Sequence, residues 1–223
     1  GVVSAVKKNS IIDNFTMTTA LIGVSMPVFW LGMLLIILFS GILHWVPSGG
    51  RIDTLLRPYD GTGFYLYDTF IIGDWEAFFN ALQHAILPAM TLACYSMAII
   101  TRMTRSSMLD VLHQDYIRTA KAKGLNPVKV IGKHAFRNAL LPIITVIGLQ
   151  FGSLLSGAVL TETVFSWPGI GAYSVESIMR SDFPVIQAVV LIVAFIFVFM
   201  NLVVDLLYAA LDPRVKYGAE GQS

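Results

Sequence analysis

Residues 115–142 read DYIRTAKAKGLNPVKVIGKHAFRNALLP. The stretch holds six Lys or Arg residues against one acid, Asp115, and a Gly-Leu-Asn-Pro break interrupts it at 124–127. Long apolar runs lie on both sides. The fold turns on what a basic, jointed segment does between two runs too greasy for water. Leu109, Leu112, Tyr116 and Ala120 recur at i, i+3, i+7 and i+11, which predicts a short helix over residues 109–123. Gly124 suits the position just past a helix end, and Asn126-Pro127 reads as an N-cap followed by Pro at the first helical position. A second helix is then expected from Pro127 toward Ala139. Ala120, Ala122 and Gly124 leave little side chain at the joint, so another protein surface can approach closely while the cations meet acidic groups or lipid headgroups. On periodicity alone, a basic loop that only sets topology accounts for the stretch as well.

Working outward, the 223 residues are 56% hydrophobic and 13% charged, with a mean hydropathy of +0.71. These values lie far from globular averages and place the chain in the membrane class. Runs over 19–43, 84–103, 139–165 and 185–211 are each long enough to cross about 30 Å of hydrocarbon at about 1.5 Å per residue. Lipid offers the backbone no hydrogen-bond partner, so only helices or closed barrels span it, and these runs are too continuously apolar for barrel strands. The expected fold is all-α, a polytopic membrane protein with four spanning helices. Cys94 is the lone cysteine and sits inside an apolar run, which leaves no intrachain disulfide and predicts a small buried apolar residue. Gly1 is not an initiator and nothing like a signal peptide precedes Thr19, so the chain is read as part of a longer one.

The charges orient the spans. The first segment carries Lys7 and Lys8, and the loop over 102–138 carries Arg102, Arg105, Arg118, Lys121, Lys123, Lys129, Lys133 and Arg137. With Arg214 and Lys216 in the tail, twelve of the fifteen positive charges fall on one alternating side. The positive-inside rule puts both ends and the 102–138 loop in the cytoplasm. The net charge of +1 hides this segregation, and no soluble basic face or interleaved aromatics point to nucleic acid.

On the other side, the loop over 44–83 is too long for a plain connection and is expected to hold structure of its own. It mixes turn signals (Pro47-Ser48-Gly49-Gly50 and Arg57-Pro58-Tyr59-Asp60-Gly61) with Phe64, Tyr65, Tyr67, Phe70, Trp75, Phe78 and Phe79. Such aromatics anchor a segment at the membrane interface or contact an external partner. The second outer segment, ETVFSWPGIGAY at 162–173, places Trp167, Pro168, Gly169 and Gly171 where the third span should end. It fits a re-entrant or gate-forming loop and equally a plain interfacial turn.

RTAKAKG at 118–124 followed by NALLP at 138–142 resembles the EAA loop of ATP-binding-cassette importer permeases, in the form of the B-type subunit of the dipeptide, oligopeptide and nickel importers. Arg118 and Thr119 replace the Glu and first Ala of the general E-A-A-x-x-x-G pattern, Ala120 and Gly124 fit it, and Leu141-Pro142 arrive later than its I-x-L-P end. SMPVFWLGMLLIILFS, HAILPAMTLA, TETVFSWPGIG and DLLYAALDPRVKYG are similar to stretches of that family in the same order, so the resemblance covers nearly the whole chain.

The resemblance implies a single type I importer permease domain over 1–223. The family is usually built with six spans, two of them before the region that matches Gly1. It further implies that Arg118, Thr119, Ala120, Ala122 and Gly124 face a cytoplasmic ATPase, with Gly124 and Pro142 as transmission points. Gln150, Ser153, Ser156, Thr161 and Glu162 are candidates for the translocation path, or else hydrogen-bond between helices. Trp167, Pro168 and Gly169 are the candidate outer gate. The implied partners are a second homologous permease in a heterodimer, two ATPase subunits, an extracytoplasmic solute-binding protein and membrane lipid, in a bacterial or archaeal inner membrane.

The ATPase must be another chain. The one Gly-Lys pair, Gly132-Lys133, is followed by His134 and lacks the upstream glycine of a phosphate-cradling loop. No nucleophile–base arrangement or metal cluster is apparent, and His44, His84, His113 and His134 read as polar or interfacial residues. No cofactor is expected on this chain, ATP and Mg belonging to its partners. Among importers of this type the solute is a di- or oligopeptide, or alternatively a nickel chelate or glutathione. An ion-gradient-driven secondary transporter would show inverted repeats and broken midplane helices, and no convincing repeat is present. A purely structural membrane scaffold would leave the joint and the WPGIG turn unexplained.

Overall fold

The computed structural model describes residues 1–58 and 61–211, with side chains at all but 153, 155–157 and 208–211. Tyr59 and Asp60 of an expected turn, the side chains of Ser153 and Ser156, and the tail cations Arg214 and Lys216 therefore lie outside the described residues. The chain begins with α1 (Val2–Val6), α2 (Ile11–Ser25) and α3 (Val28–Leu35), the last running on as a π-helical stretch, Ile36–Ile42. A single 3-10 turn at Thr54–Leu56 precedes α4 (Tyr65–Ile72) and α5 (Trp75–Leu112). Then come α6 (Asp115–Ala122), α7 (Pro127–Lys129) with a second π-helical stretch at Val130–Phe136, α8 (Arg137–Val164), α9 (Ile170–Met179) and α10 (Phe183–Leu211). No strand occurs among the described residues, as the apolar runs predict.

Trp75–Leu112, Pro127–Gly152 and Phe183–Leu207 are each long and apolar enough to cross a membrane, and a fourth crossing exists if Ile11–Ser25 and Val28–Ile42 form one broken span. The expected continuous helix over 19–43 is therefore corrected. The helix starts eight residues earlier, at Ile11, and breaks before Pro27, which has no N–H for the helical ladder and disfavours helical backbone at Met26. Pro27 instead begins α3 as its N-cap, accepting at its carbonyl from the Leu31 N–H at 3.0 Å. Thr16, Thr19 and Ser25 fit the apolar α2 because each hydroxyl donates to the carbonyl one turn back.

The second span is also longer than its apolar run. Gly73, left-handed at φ 79°, ends α4, and Asp74 caps α5 by accepting from the Ala77 N–H at 3.0 Å. The helix then runs to Leu112, past the expected end at 103, because nothing between Arg102 and Leu112 breaks it. The expected helix over 109–123 is consequently split at His113 and Gln114, where Gln114 is extended. The outer loop loses its last nine residues to α5.

The chain divides into two units. The first comprises Gly1–Ser25, Ser96–Ser153 and the chain from Val193. Its core is Ala5, Met108, Ile117, Ala120, Val130, Ala135, Ala139 and Ile143, in which four alanines let helix backbones approach closely. Asp13, 1% exposed, is held by a two-pronged bond from Arg105 (2.6 and 2.7 Å), by the Asn9 N–H at 2.8 Å and by the Ser4 hydroxyl. A carboxylate at this depth persists only with such partners. α8 meets α10 through Gly148 and Gly152, where added Cβ atoms would run into Val204 and Phe197.

The second unit comprises Met26–Tyr95 and Leu154–Ile192. Phe165, 1% exposed, lies against Gly32, where an added Cβ would stand 3.1 Å from its ring and 3.4 Å from the Thr91 methyl. His84 is buried here rather than interfacial. Its Nδ1 donates to the Asn80 carbonyl at 2.9 Å, and its Nε2 lies 3.6 Å from Asp53. Asn80 also donates to Asp53 at 2.6 Å and accepts from its N–H at 2.9 Å, so structure within the outer loop is tied to α5.

Candidate functional site

The basic joint lies in the first unit. α6 is amphipathic: Ile117 (0% exposed) and Ala120 (7%) face the core, while Arg118, Thr119 and Ala122 are exposed. Ala120, expected to face a partner, is thus corrected to a core residue, because it sits three positions from Ile117 on the same helical face. Its small side chain serves the packing beneath the helix. After Ala122 the chain closes a Schellman motif, with the Leu125 N–H donating to the Ala120 carbonyl (3.4 Å) and the Gly124 N–H to that of Lys121 (3.0 Å). This motif needs the left-handed φ of +74° that Gly124 adopts.

Two residues later the Asn126 side chain accepts from the Val128 N–H at 2.8 Å and caps the next helix, with Pro127 as its first residue. Every residue from Lys121 to Lys129 is exposed, including Leu125 and Val128, the latter 76%. Together with Tyr116 they form apolar points among Arg118, Lys121, Lys123 and Lys129. Arg118 lies 3.7 Å from Asp115, an exposed pair that contributes little. The π-helical stretch beyond the joint is of the rare kind that marks functional sites. It leads into α8, where half-buried Pro142 gives no N–H to the Asn138 carbonyl.

The WPGIG corner lies in the second unit. α8 ends in another Schellman motif, with the Trp167 N–H donating to the Glu162 carbonyl (2.8 Å) and the Ser166 N–H to that of Thr163 (3.3 Å). Here the left-handed position is Ser166, at φ 49°. Trp167, Pro168 and Gly169 make the turn into α9, and the Glu162 carboxylate accepts from the Ala172 N–H at 2.8 Å. The loop before α4 is strapped onto this corner. The Gly50 N–H donates to the Phe165 carbonyl at 2.8 Å, and a Cβ on Gly49 would stand 2.5 Å from that oxygen. The Arg51 guanidinium lies over Tyr65 (4.7 Å) and Trp167 (5.8 Å) and donates to the Gly63 carbonyl.

Asp68 holds the same loop by accepting from the Thr62 N–H (3.0 Å), the Thr62 hydroxyl (2.8 Å) and the Gly63 N–H (3.0 Å). Burial disfavours its charge, but these three donors outweigh burial and keep its carboxyl below the ordinary value. α4 and the start of α5 expose Phe70, Trp75 and Phe79, with Trp75 edge-on to Phe70 and Phe78.

The residues expected to line a path fall in both units: Gln150 is buried in the first, and Thr161 (2% exposed) and half-buried Glu162 belong to the second. Cys94 is half-buried, and no cluster able to hold a metal occurs among the described residues. The Asp13–Arg105 pair joins residues 92 positions apart and is not legible in the sequence, although Asp13 is the only acid before Asp53. Hydropathy alone passes over Gly148-x-x-x-Gly152, a readable small-residue motif. Arg51 and Asp68 carried no local signal.

The profile of binding-protein-dependent transport system inner membrane components matches residues 1–217. Over 217 residues the chain is 51% identical to a di/tripeptide transport system permease protein of Pseudomonas aeruginosa, and over 222 residues 51% identical to the dipeptide transport system permease protein of Escherichia coli K12. It is 45% identical over 217 residues to an oligopeptide transport system permease protein of Bacillus subtilis. Each match covers 97% of this chain. The chain spans 65% of the length of the first two relatives and 63% of the third.

Proposed function

Because the chain belongs to the family of binding-protein-dependent transport system inner membrane components, we propose that it forms the membrane pathway of an ATP-driven importer of dipeptides and short oligopeptides. The observation that carries the reading is the exposed joint: a helix pinned by Ile117, closed by Gly124 and presenting cations around Tyr116, Leu125 and Val128. Such a surface suits a groove with an apolar floor and an acidic rim. A cytoplasmic ATPase subunit would supply that groove, and the segregation of Lys and Arg assigns the 102–138 loop and both ends of this segment to the cytoplasm.

The partners are two ATPase subunits, a second homologous permease and an extracytoplasmic solute-binding protein, in a bacterial cytoplasmic membrane. ATP and Mg belong to the ATPase subunits. Peptide as solute is supported by the names of the relatives. ATP drives the cycle only if it interacts differently with the outward- and inward-facing states, and closure of the ATPase pair on α6 provides that difference. Motion of α6 passes through the joint and the π-helical stretch into α8. The test is uptake by the full-length complex in proteoliposomes. The reading predicts dipeptide accumulation that requires both ATP and the binding protein, whereas uptake driven by an ion gradient without ATP would overturn it.

A further inference from the structure

We propose that Glu162 is the positioning residue of the outer corner: its carboxylate caps α9 across the turn, and it occupies the space that a side chain at Gly169 would take. The N-cap of α9, Gly169, brings no side-chain cap of its own, and the Glu162 carboxylate accepts from the Ala172 N–H instead. Glu162 is thus bound to the positive end of α9 while its own carbonyl closes α8 through Trp167.

Gly169 has φ −137° and ψ −178°, extended backbone that any residue adopts, so conformation does not demand glycine there. Space does so for as long as the carboxylate stays on the Ala172 amide: an added Cβ would strike the Glu162 carboxyl carbon and both its oxygens, and the side chain could make room only by leaving its cap. At Gly171 a Cβ would lie 2.9 Å from the same carboxylate and 2.6 Å from the Val159 backbone. The acid is therefore a link between the end of α8 and the start of α9. Within the second unit, the end of α8, Trp167 and the start of α9 are thereby joined, and the strap from Gly49 to Arg51 is tied to the same corner.

The transport readout rests on the importer reading; an amide-exchange readout does not. In the full-length complex, Glu162→Ala and Gly169→Ala are each expected to lower ATP-driven uptake about fivefold or more, the size of effect of a lost helix cap. Adding Gly169→Ala to Glu162→Ala should cost nothing further, since the carboxylate it would strike is gone. Glu162→Gln, which keeps the shape and one acceptor oxygen, should restore most of the uptake. By hydrogen exchange, the Ala172 amide should be protected in the parent and Gln proteins and exposed in Glu162→Ala. Independent, additive losses from the two alanine substitutions, or an Ala172 amide equally protected without Glu162, would overturn the proposal. A parent complex that shows no ATP-driven uptake would instead sink the importer reading, and the Ala172 exchange would still decide the role of Glu162.

Discussion

Replacing Ile117 with Ala tests whether the joint is built from the core outward. Ile117 is fully buried against the Met108, Val130 and Ala139 cluster, and apart from it only Ala120 of α6 is buried. An eight-residue helix is far below the roughly 12–15 residues at which an isolated helix becomes even marginal in water, so tertiary anchorage maintains it. Truncating a buried Ile to Ala costs about 2–5 kcal/mol. Because the other anchor is only an alanine, the loss falls on α6 itself. At about 1.4 kcal/mol per tenfold, local opening should rise roughly 30- to 4,000-fold. Hydrogen exchange at the Thr119–Lys123 amides reads this directly, with Val128→Ala, at a site 76% exposed, as a control that leaves it unchanged. ATPase co-purification should fall with the same substitution. If Ile117→Ala exchanged within threefold of the parent, the claim that one buried side chain holds the coupling surface would be wrong.

At Gly124 a Cβ meets nothing within 4 Å, so Gly124→Ala carries only the left-handed backbone cost of about 1–2 kcal/mol and Gly124→Asn less. Gly124→Trp should leave folding close to Gly124→Ala while abolishing coupling of ATP hydrolysis to transport. Equal coupling in the Ala and Trp variants would contradict an occupied surface. Gly148→Leu should separate α10 from α8 at Val204 and lower the thermal midpoint, whereas a substitution at exposed Gly132 should not. For Asp68, the folded carboxyl sits below its ordinary value, so its stabilisation is complete above the ordinary carboxylate range and lost as pH falls through the depressed value. The thermal midpoint of the parent should exceed that of Asp68→Asn at neutral pH, with the gap closing below about pH 4. A gap that persisted in acid would mean that the Asp68 charge does not hold the loop.

The elements that could be read from sequence are those set by local chemistry. Gly124, Asn126 and Pro127 mark the joint because a left-handed closure, a side-chain cap and a fixed φ are properties of single residues. The end of the run at 139–165 is legible, since α8 stops at Val164, but its start is not: the span begins at Pro127, because the basic residues within 129–137 lower its hydropathy without breaking the helix. The first span is not legible either, since Pro27 can stand inside an apolar run and either kink a helix or start a new one. Trp75–Gln83 reads as loop because hydropathy undervalues a helix carrying Glu76, Asn80 and Gln83, although Asp74 signals its cap. Ala120 was placed on the outer face by its smallness, yet its phase relative to Ile117 buries it. From sequence Glu162 reads either as a polar residue for a path or as one that hydrogen-bonds between helices. Its partners are the α9 amide and two glycines up to nine residues away, which only the fold brings to it.

The central claim is that the joint docks an ATPase through one face of α6. Photo-crosslinkers placed singly from Asp115 to Lys123 in the full-length complex test it most directly. The account predicts crosslinks to the ATPase subunit from 118, 119 and 122 and none from 117 or 120, a pattern that follows the helix. Crosslinks absent from all positions, or equally strong from the buried and exposed ones, would contradict it.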